Sequence, residues 1–140
     1  MKITPYQEIR KYLEESDKPL FLFDDDPDGL CSYLLLKKYI SRGKGLVAKA
    51  SPELSHAYLK QVSEIKPDCV FILDKSSVCE EFFLRCPVPV IWIDHHALQN
   101  CKGVKYYNPK KFNKSFPVSY FCYKVTENNL WIAVIGSLND

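Results

Sequence analysis

The sequence predicts an α/β fold, a mostly parallel sheet with helices on both faces. Short apolar runs of strand length recur at residues 20–23, 69–73 and 88–93. Helical periodicity, not a hairpin turn, separates them, and that alternation implies parallel strands joined by crossover helices. Each run also ends in acids or histidines. Phe23 leads into Asp24-Asp25-Asp26-Pro27-Asp28-Gly29, Leu73 into Asp74, and Ile93 into Asp94-His95-His96. Ligands of such sheets bind beyond the carboxyl ends of the strands. The same pattern therefore predicts a fold and one shared site.

The elements follow in order. Thr4-Pro5 is a helix start, with proline in the first turn. Tyr6, Ile9 and Leu13 then recur at helical spacing, predicting a helix over residues 5–16. Pro19 ends it and residues 20–23 form a buried strand. From Gly29 the pattern is helical again, with Leu30, Tyr33 and Leu34 on one stripe. Gly43-Lys44-Gly45 stops that helix, and Leu46-Val47-Ala48 is a short strand. Ser51-Pro52-Glu53 is a second start signal, followed by Leu54, Tyr58, Val62 and Ile65 at helical spacing. Pro67 breaks the chain before the strand at 69–73. Residues 76–85 are expected to be helical, with Phe82 and Phe83 inward. Pro89 implies either an edge strand or one that begins at Val90. A loop starts near residue 97. Pro117 to Tyr123 begins another helix, and Leu130 to Ser137 is a last apolar one.

At 140 residues the chain is long enough for one domain with a real core. A formal net charge of +2 is too small to argue by itself for nucleic acid or membrane. Six cysteines stand at 31, 69, 79, 86, 101 and 122 without a Cys-x-x-Cys pair. They read as reduced thiols of a cytoplasmic protein, not as a disulfide framework or zinc ribbon. The N-terminus lacks a signal-peptide apolar core, and no apolar run approaches a membrane span.

The acids carry the chemistry. Asp24, Asp26 and Asp28 alternate, so in an extended segment they point the same way. They repel unless cations neutralise them, and Gly29 lets the backbone turn beneath them. A solvated Asp-rich turn is the plainer alternative. An EF-hand loop is excluded, because its twelfth position is Leu35 and a strand precedes it. Asp74 alone could equally cap a following helix. Adjacent His95 and His96 point in different directions, so one can bind metal while the other faces substrate, with Asp94 orienting a neighbouring imidazole; the alternative is a pair of exposed loop histidines. His56 reads as ordinary surface. Carboxylates with one imidazole suit manganese, or else magnesium, better than zinc or copper. Two such ions, about 3.5–4 Å apart, would make a water nucleophilic and clamp a phosphoryl group.

These residues resemble the DHH phosphoesterase superfamily, which includes RecJ-type single-strand exonucleases, nanoRNases, cyclic dinucleotide phosphodiesterases, exopolyphosphatases and family II pyrophosphatases. Asp24-x-Asp26-x-Asp28-Gly29 looks like its first motif in the RecJ-like form, and Asp74 like the second. Asp94-His95-His96 is the naming motif, and Gly136-Ser137-Leu138-Asn139-Asp140 looks like the fourth. The resemblance implies a Rossmann-like domain, with Asp24 and Asp26 on one metal ion, Asp28, His95 and Asp140 on the other, and Asp74 bridging them. His96 would contact the scissile phosphate. Many relatives have histidine where this chain has Asp24, which bears on metal preference. Family enzymes continue into a second, smaller substrate-binding domain. That domain is absent from residues 1–140, so the chain is expected to be truncated at its C-terminal end.

The resemblance implies a hydrolase of phosphodiester bonds in single-stranded nucleic acid or short oligonucleotides, using two divalent cations. The alternatives are a pyrophosphatase or polyphosphatase, and a catalytically silent scaffold in a replication or repair complex, with a protein partner. Residues 101–116 add Lys102, Lys105, Lys110, Lys111 and Lys114 interleaved with Tyr106, Tyr107, Phe112 and Phe116, without an acid. Lys105, Lys110 and Lys111 with these aromatics would suit a single-stranded substrate. A solvated lysine loop over core aromatics is the equal alternative.

Overall fold

In a computed structural model, residues 2–49 and 53–138 are described. Helix α1 (Pro5–Glu15) starts at a reciprocal cap, in which Thr4 Oγ1 accepts from Gln7 N at 3.1 Å and Gln7 Oε1 from Thr4 N at 2.8 Å. There follow β1 (Pro19–Phe23), α2 (Pro27–Ile40), β2 (Lys44–Val47), β3 (Glu53–Leu54), a 3-10 turn (His56–Tyr58) and α3 (Leu59–Ile65). The second half holds β4 (Cys69–Leu73), β5 (Ser77–Val78), α4 (Glu80–Arg85), β6 (Val90–Ile93), β7 (Lys105–Tyr107), a 3-10 turn (Pro109–Phe112), α5 (Val118–Thr126) and α6 (Leu130–Ser137).

Five strands form one parallel sheet in the order β2-β1-β4-β6-β7, and β3 pairs with β5 in a separate two-stranded piece. The chain steps one way from β1 to β2 and the other way from β1 to β4. That reversal places a crevice at the carboxyl ends of β1 and β4.

Strand alternation divides the core in two. Phe21, Phe23, Phe71, Leu73, Ile91 and Ile93 face the helices α1, α2, α5 and α6. Their neighbours Leu20, Leu22, Val70, Ile72, Val90 and Trp92 pack with Leu54, Val62, Phe82 and Phe83 on the other face. The three central strands β1, β4 and β6 are buried on both sides, as a doubly covered parallel sheet requires. The loop before β1 is tied to the start of β4 by Asp68, whose carboxylate accepts from the Ser16 hydroxyl and from Asp17 N at 2.7 Å.

Three local expectations change and one is decided. The helix expected from residue 53 is a short strand and a 3-10 turn before α3 begins at Leu59. The helix expected over 76–85 begins only at Glu80, because Ser77–Val78 pairs with Glu53–Leu54. Tertiary pairing overrides local periodicity in both. Strand β7 lies inside the expected loop; Lys105-Tyr106-Tyr107 is too short to show alternation by itself. Pro89 immediately precedes β6, so the second of its two readings holds.

All six cysteines are free. Burial pushes the Cys69 thiol up to about 12 and raises Cys122 as well. Among the described residues, no helix is long and apolar enough to cross a membrane.

Candidate metal centre

Three strand ends build the site. The ladder continues one residue past each strand: Asp24 N donates to Leu73 O at 3.1 Å, Asp74 N to Ile93 O at 2.9 Å, and Asp94 N to Tyr107 O at 3.0 Å. Backbone pairing thus sets Asp24, Asp74 and Asp94 side by side along the sheet edge. Asp74 takes a left-handed φ of 65°, which ends β4 abruptly and which aspartate tolerates better than most residues.

Asp26 is the N-cap of α2, and its Oδ1 accepts from Gly29 N at 2.7 Å. Gly29 is needed for close approach rather than for a special φ. A Cβ there would lie 2.9 Å from both the N and the carbonyl C of Asp24. Gly29→Ala is expected to lower stability by about 1–3 kcal/mol and to weaken Mn2+ binding by shifting Asp24. Thermal unfolding and metal titration of the variant check this.

Asp28 is 2% exposed. Its Oδ2 accepts from Val118 N at 3.0 Å and its Oδ1 from Ser119 N at 2.8 Å, at the start of α5. A carboxylate is well placed there, among unpaired backbone donors at a helix N-terminus.

Asp74 sits at the centre and is 1% exposed. One of its oxygens is within 4.8 Å of carboxylate oxygens of both Asp24 and Asp26, and one lies equally close to ring nitrogens of His95 and His96. His95 Nε2 is 3.3 Å from Asp74 Oδ1 and 3.6 Å from Asp28 Oδ2. Neither Asp74 oxygen has a hydrogen-bond partner among the described residues. Burial, then the charge of Asp28 and the closeness of Asp26, push its carboxyl up to about 11. A buried carboxylate surrounded by acceptors is unfavourable unless a proton or cation joins it. Oxygen donors with one imidazole fit a hard divalent cation such as manganese or magnesium, so these residues suit the ions that the motifs imply.

The two histidine rings lie together, with centroids 4.4 Å apart, and differ in partners and exposure rather than pointing to opposite sides. His96 Nδ1 lies 2.6 Å from Asp94 Oδ1, and His96 N donates to Asp94 Oδ2 at 3.2 Å. Asp94, fully buried, therefore fixes the ring. Its hydrogen bond outweighs burial and raises the His96 pKa. The His96 side chain is 43% exposed, against 21% for His95. Asp140 lies outside the described residues.

The lysines divide. Lys110 Nζ donates to His95 O at 2.7 Å, which braces the histidine loop. Lys111 Nζ donates to Tyr106 O at 2.8 Å and lies 4.5 Å from the centre of the Tyr106 ring. Lys105 opens β7 opposite Ile91, two residues short of the strand end that leads to Asp94. Tyr106 is buried, and Tyr107, Phe112 and Phe116 pack against the core. Of the two readings of residues 101–116, the packing of these aromatics favours the core one.

Two residues passed unnoticed in the sequence. Asn108, fully buried, donates to His96 O at 2.9 Å and to Tyr106 Oη at 3.0 Å. The Asn-Pro pair starting a turn was its only signal. Lys75 is 2% exposed, and its Nζ donates to Asp24 Oδ1 and Ala48 O, both at 3.1 Å. Lysine directly after a strand-end aspartate was the available signal. His56 is exposed and 3.3 Å from Glu81, and both lie near Cys79, away from the strand-end acids.

Crystal structures of RecJ share this architecture. RecJ of Thermus thermophilus in complex with Mn2+ superposes over 95% of this chain with a TM-score of 0.68 at 16% identity. The fold is RecJ-like. A second structure, exonuclease RecJ bound to manganese, superposes over 95% of the chain with a TM-score of 0.67 at 14% identity. The RecJ-like domain spans only 21% and 38% of those two chains. No family model matches the sequence, and no curated protein matches it.

Proposed function

We propose that this domain is a manganese-dependent phosphoesterase that hydrolyses phosphodiester bonds of single-stranded nucleic acid or short oligonucleotides in the cytoplasm. The observation that carries the reading is Asp74, a buried carboxylate with neither oxygen hydrogen-bonded among the described residues, set between the Asp24–Asp26 pair and the Asp28–His95 pair at the strand ends of a RecJ-like fold. Asp24 and Asp26 would hold one divalent ion, Asp28, His95 and Asp140 the second, and Asp74 both. When bound, such an ion pair supplies an activated water and neutralises phosphoryl charge. The chain itself positions the groups around it. His96, oriented by Asp94, whose hydrogen bond also raises its pKa, is the more exposed imidazole and can stabilise charge growing on a phosphate. Lys110 braces the His95 carbonyl and adds positive charge at the rim.

A scaffold reading, with a replication or repair protein as partner, has one observation in its favour. Helix α6 and Leu138 just after it leave Leu130, Trp131, Val134, Ile135 and Leu138 exposed, an apolar face of the kind that partners cover.

The test is hydrolysis of an end-labelled single-stranded oligonucleotide and of pyrophosphate, each with Mn2+, Mg2+ or EDTA. The expected result is Mn2+-dependent shortening of the oligonucleotide and no pyrophosphate cleavage. Manganese binding without turnover would favour the scaffold. Phosphate release from pyrophosphate alone would replace the substrate class.

A further inference from the structure

Lys75 is the one buried lysine among the described residues, and it points into the acidic centre. Lysine is almost never buried without a partner. Here the ammonium binds Asp24 Oδ1 and the Ala48 carbonyl, while the Lys75 carbonyl accepts from Trp92 Nε1 at 2.9 Å. Main chain and side chain are thus both held by the core, so the charge cannot swing into solvent. The other half of the centre has no such cation among the described residues. Asp28 meets neutral N–H groups there, and His95 offers a ring nitrogen.

We propose that Lys75 is a built-in counter-ion of Asp24 that makes the two cation positions unequal. The Asp28–His95 half loads first, and the Asp24–Asp26 half loads only at a higher metal concentration. The inference rests on the functional reading above, because it assumes that both halves take a divalent ion. Its physical basis is charge. A divalent ion held by Asp24 must share that carboxylate with the positive charge of a buried lysine.

Titration of the metal-free protein with Mn2+, followed by the electron paramagnetic resonance signal of free Mn2+, tests it. Wild type should bind one ion tightly and a second at least tenfold more weakly, which is about 1.4 kcal/mol. Spin coupling between two manganese ions should appear only in the second phase. Lys75→Met should tighten the second phase by tenfold or more, and Lys75→Gln, which keeps a hydrogen bond to Asp24 without charge, should do the same. Asp24→Asn should remove the weak class and His95→Ala the tight one. Two equal sites in wild type, or an unchanged gap in folded Lys75 variants, would overturn the role of Lys75 and leave the phosphoesterase reading standing. No Mn2+ binding by any of these proteins would remove both.

Discussion

Asp74→Asn is expected to abolish Mn2+ binding and at the same time to stabilise the metal-free protein at neutral pH by about 1–3 kcal/mol. Both effects have one cause. In the folded protein the Asp74 carboxyl is pushed up to about 11, whereas its ordinary value is 3.8. Below about pH 4 it is protonated in folded and unfolded chains alike. As pH rises from there, only the unfolded chain gives up the proton freely, so the metal-free fold loses stability until pH passes the folded value. An amide does not ionise. Its NH2 can also donate to the surrounding Asp26, Asp28 and His95 groups, with no proton uptake needed at neutral pH.

Manganese should restore the wild type by taking the place of the missing proton, and it should do little for the variant. The catalytic loss should be severe, on the order of a thousandfold, because the ions supply several kcal/mol to charge stabilisation. It should exceed the loss in a His96→Ala variant, which keeps every metal ligand. Thermal unfolding across pH with Mn2+ or EDTA, and metal content after desalting, give the answer. A variant that keeps wild-type manganese content would mean that Asp74 does not join the two halves.

Asp28→Ala is expected to lower stability by about 3 kcal/mol in EDTA, where no metal contributes. The carboxylate is the acceptor for Val118 N and Ser119 N, ninety residues away in sequence. Removing it leaves two buried N–H groups without partners, and each such loss costs roughly 1–3 kcal/mol. The damage should spread through α5 and α6, which pack against α2 beside it. Gly136 shows how tight that packing is, since a Cβ there would come within 2.8 Å of Cys31 Cβ and Ser119 Cβ. Asp28→Asn keeps one acceptor oxygen and should recover about half the stability, while metal affinity falls in both variants. Urea unfolding resolves the pair. Equal stability of wild type and Asp28→Ala would confine Asp28 to the metal site.

Much of this arrangement was legible from residue order. Proline and glycine breaks bounded α1, α2, β1, β4 and β6, because the breakers act on their own backbone and need no distant partner. Acids after apolar runs located the strand ends. The misread stretches, around residues 53–58 and 76–79, pair with each other across a gap in sequence. Their local pattern suited a helix, and only the partner strand made extended backbone better. The loop lysines were ambiguous for a related reason. A lysine run looks the same in sequence whether its ammonium groups face solvent or, as with Lys110 and Lys111, close onto carbonyls of His95 and Tyr106.

Residue order alone settled which side chains stand at the carboxyl ends of the strands and which alternate to either face, because period-two geometry and chain breaks are local properties. It left undecided what each acid would meet. That Asp24 is matched by Lys75, that Asp28 receives the first turn of α5, and that Asp74 receives no donor among the described residues follow from strand register and crossover packing. Such contacts join residues about fifty to ninety positions apart, and electrostatic and hydrogen-bond energies depend on distances that no local pattern encodes.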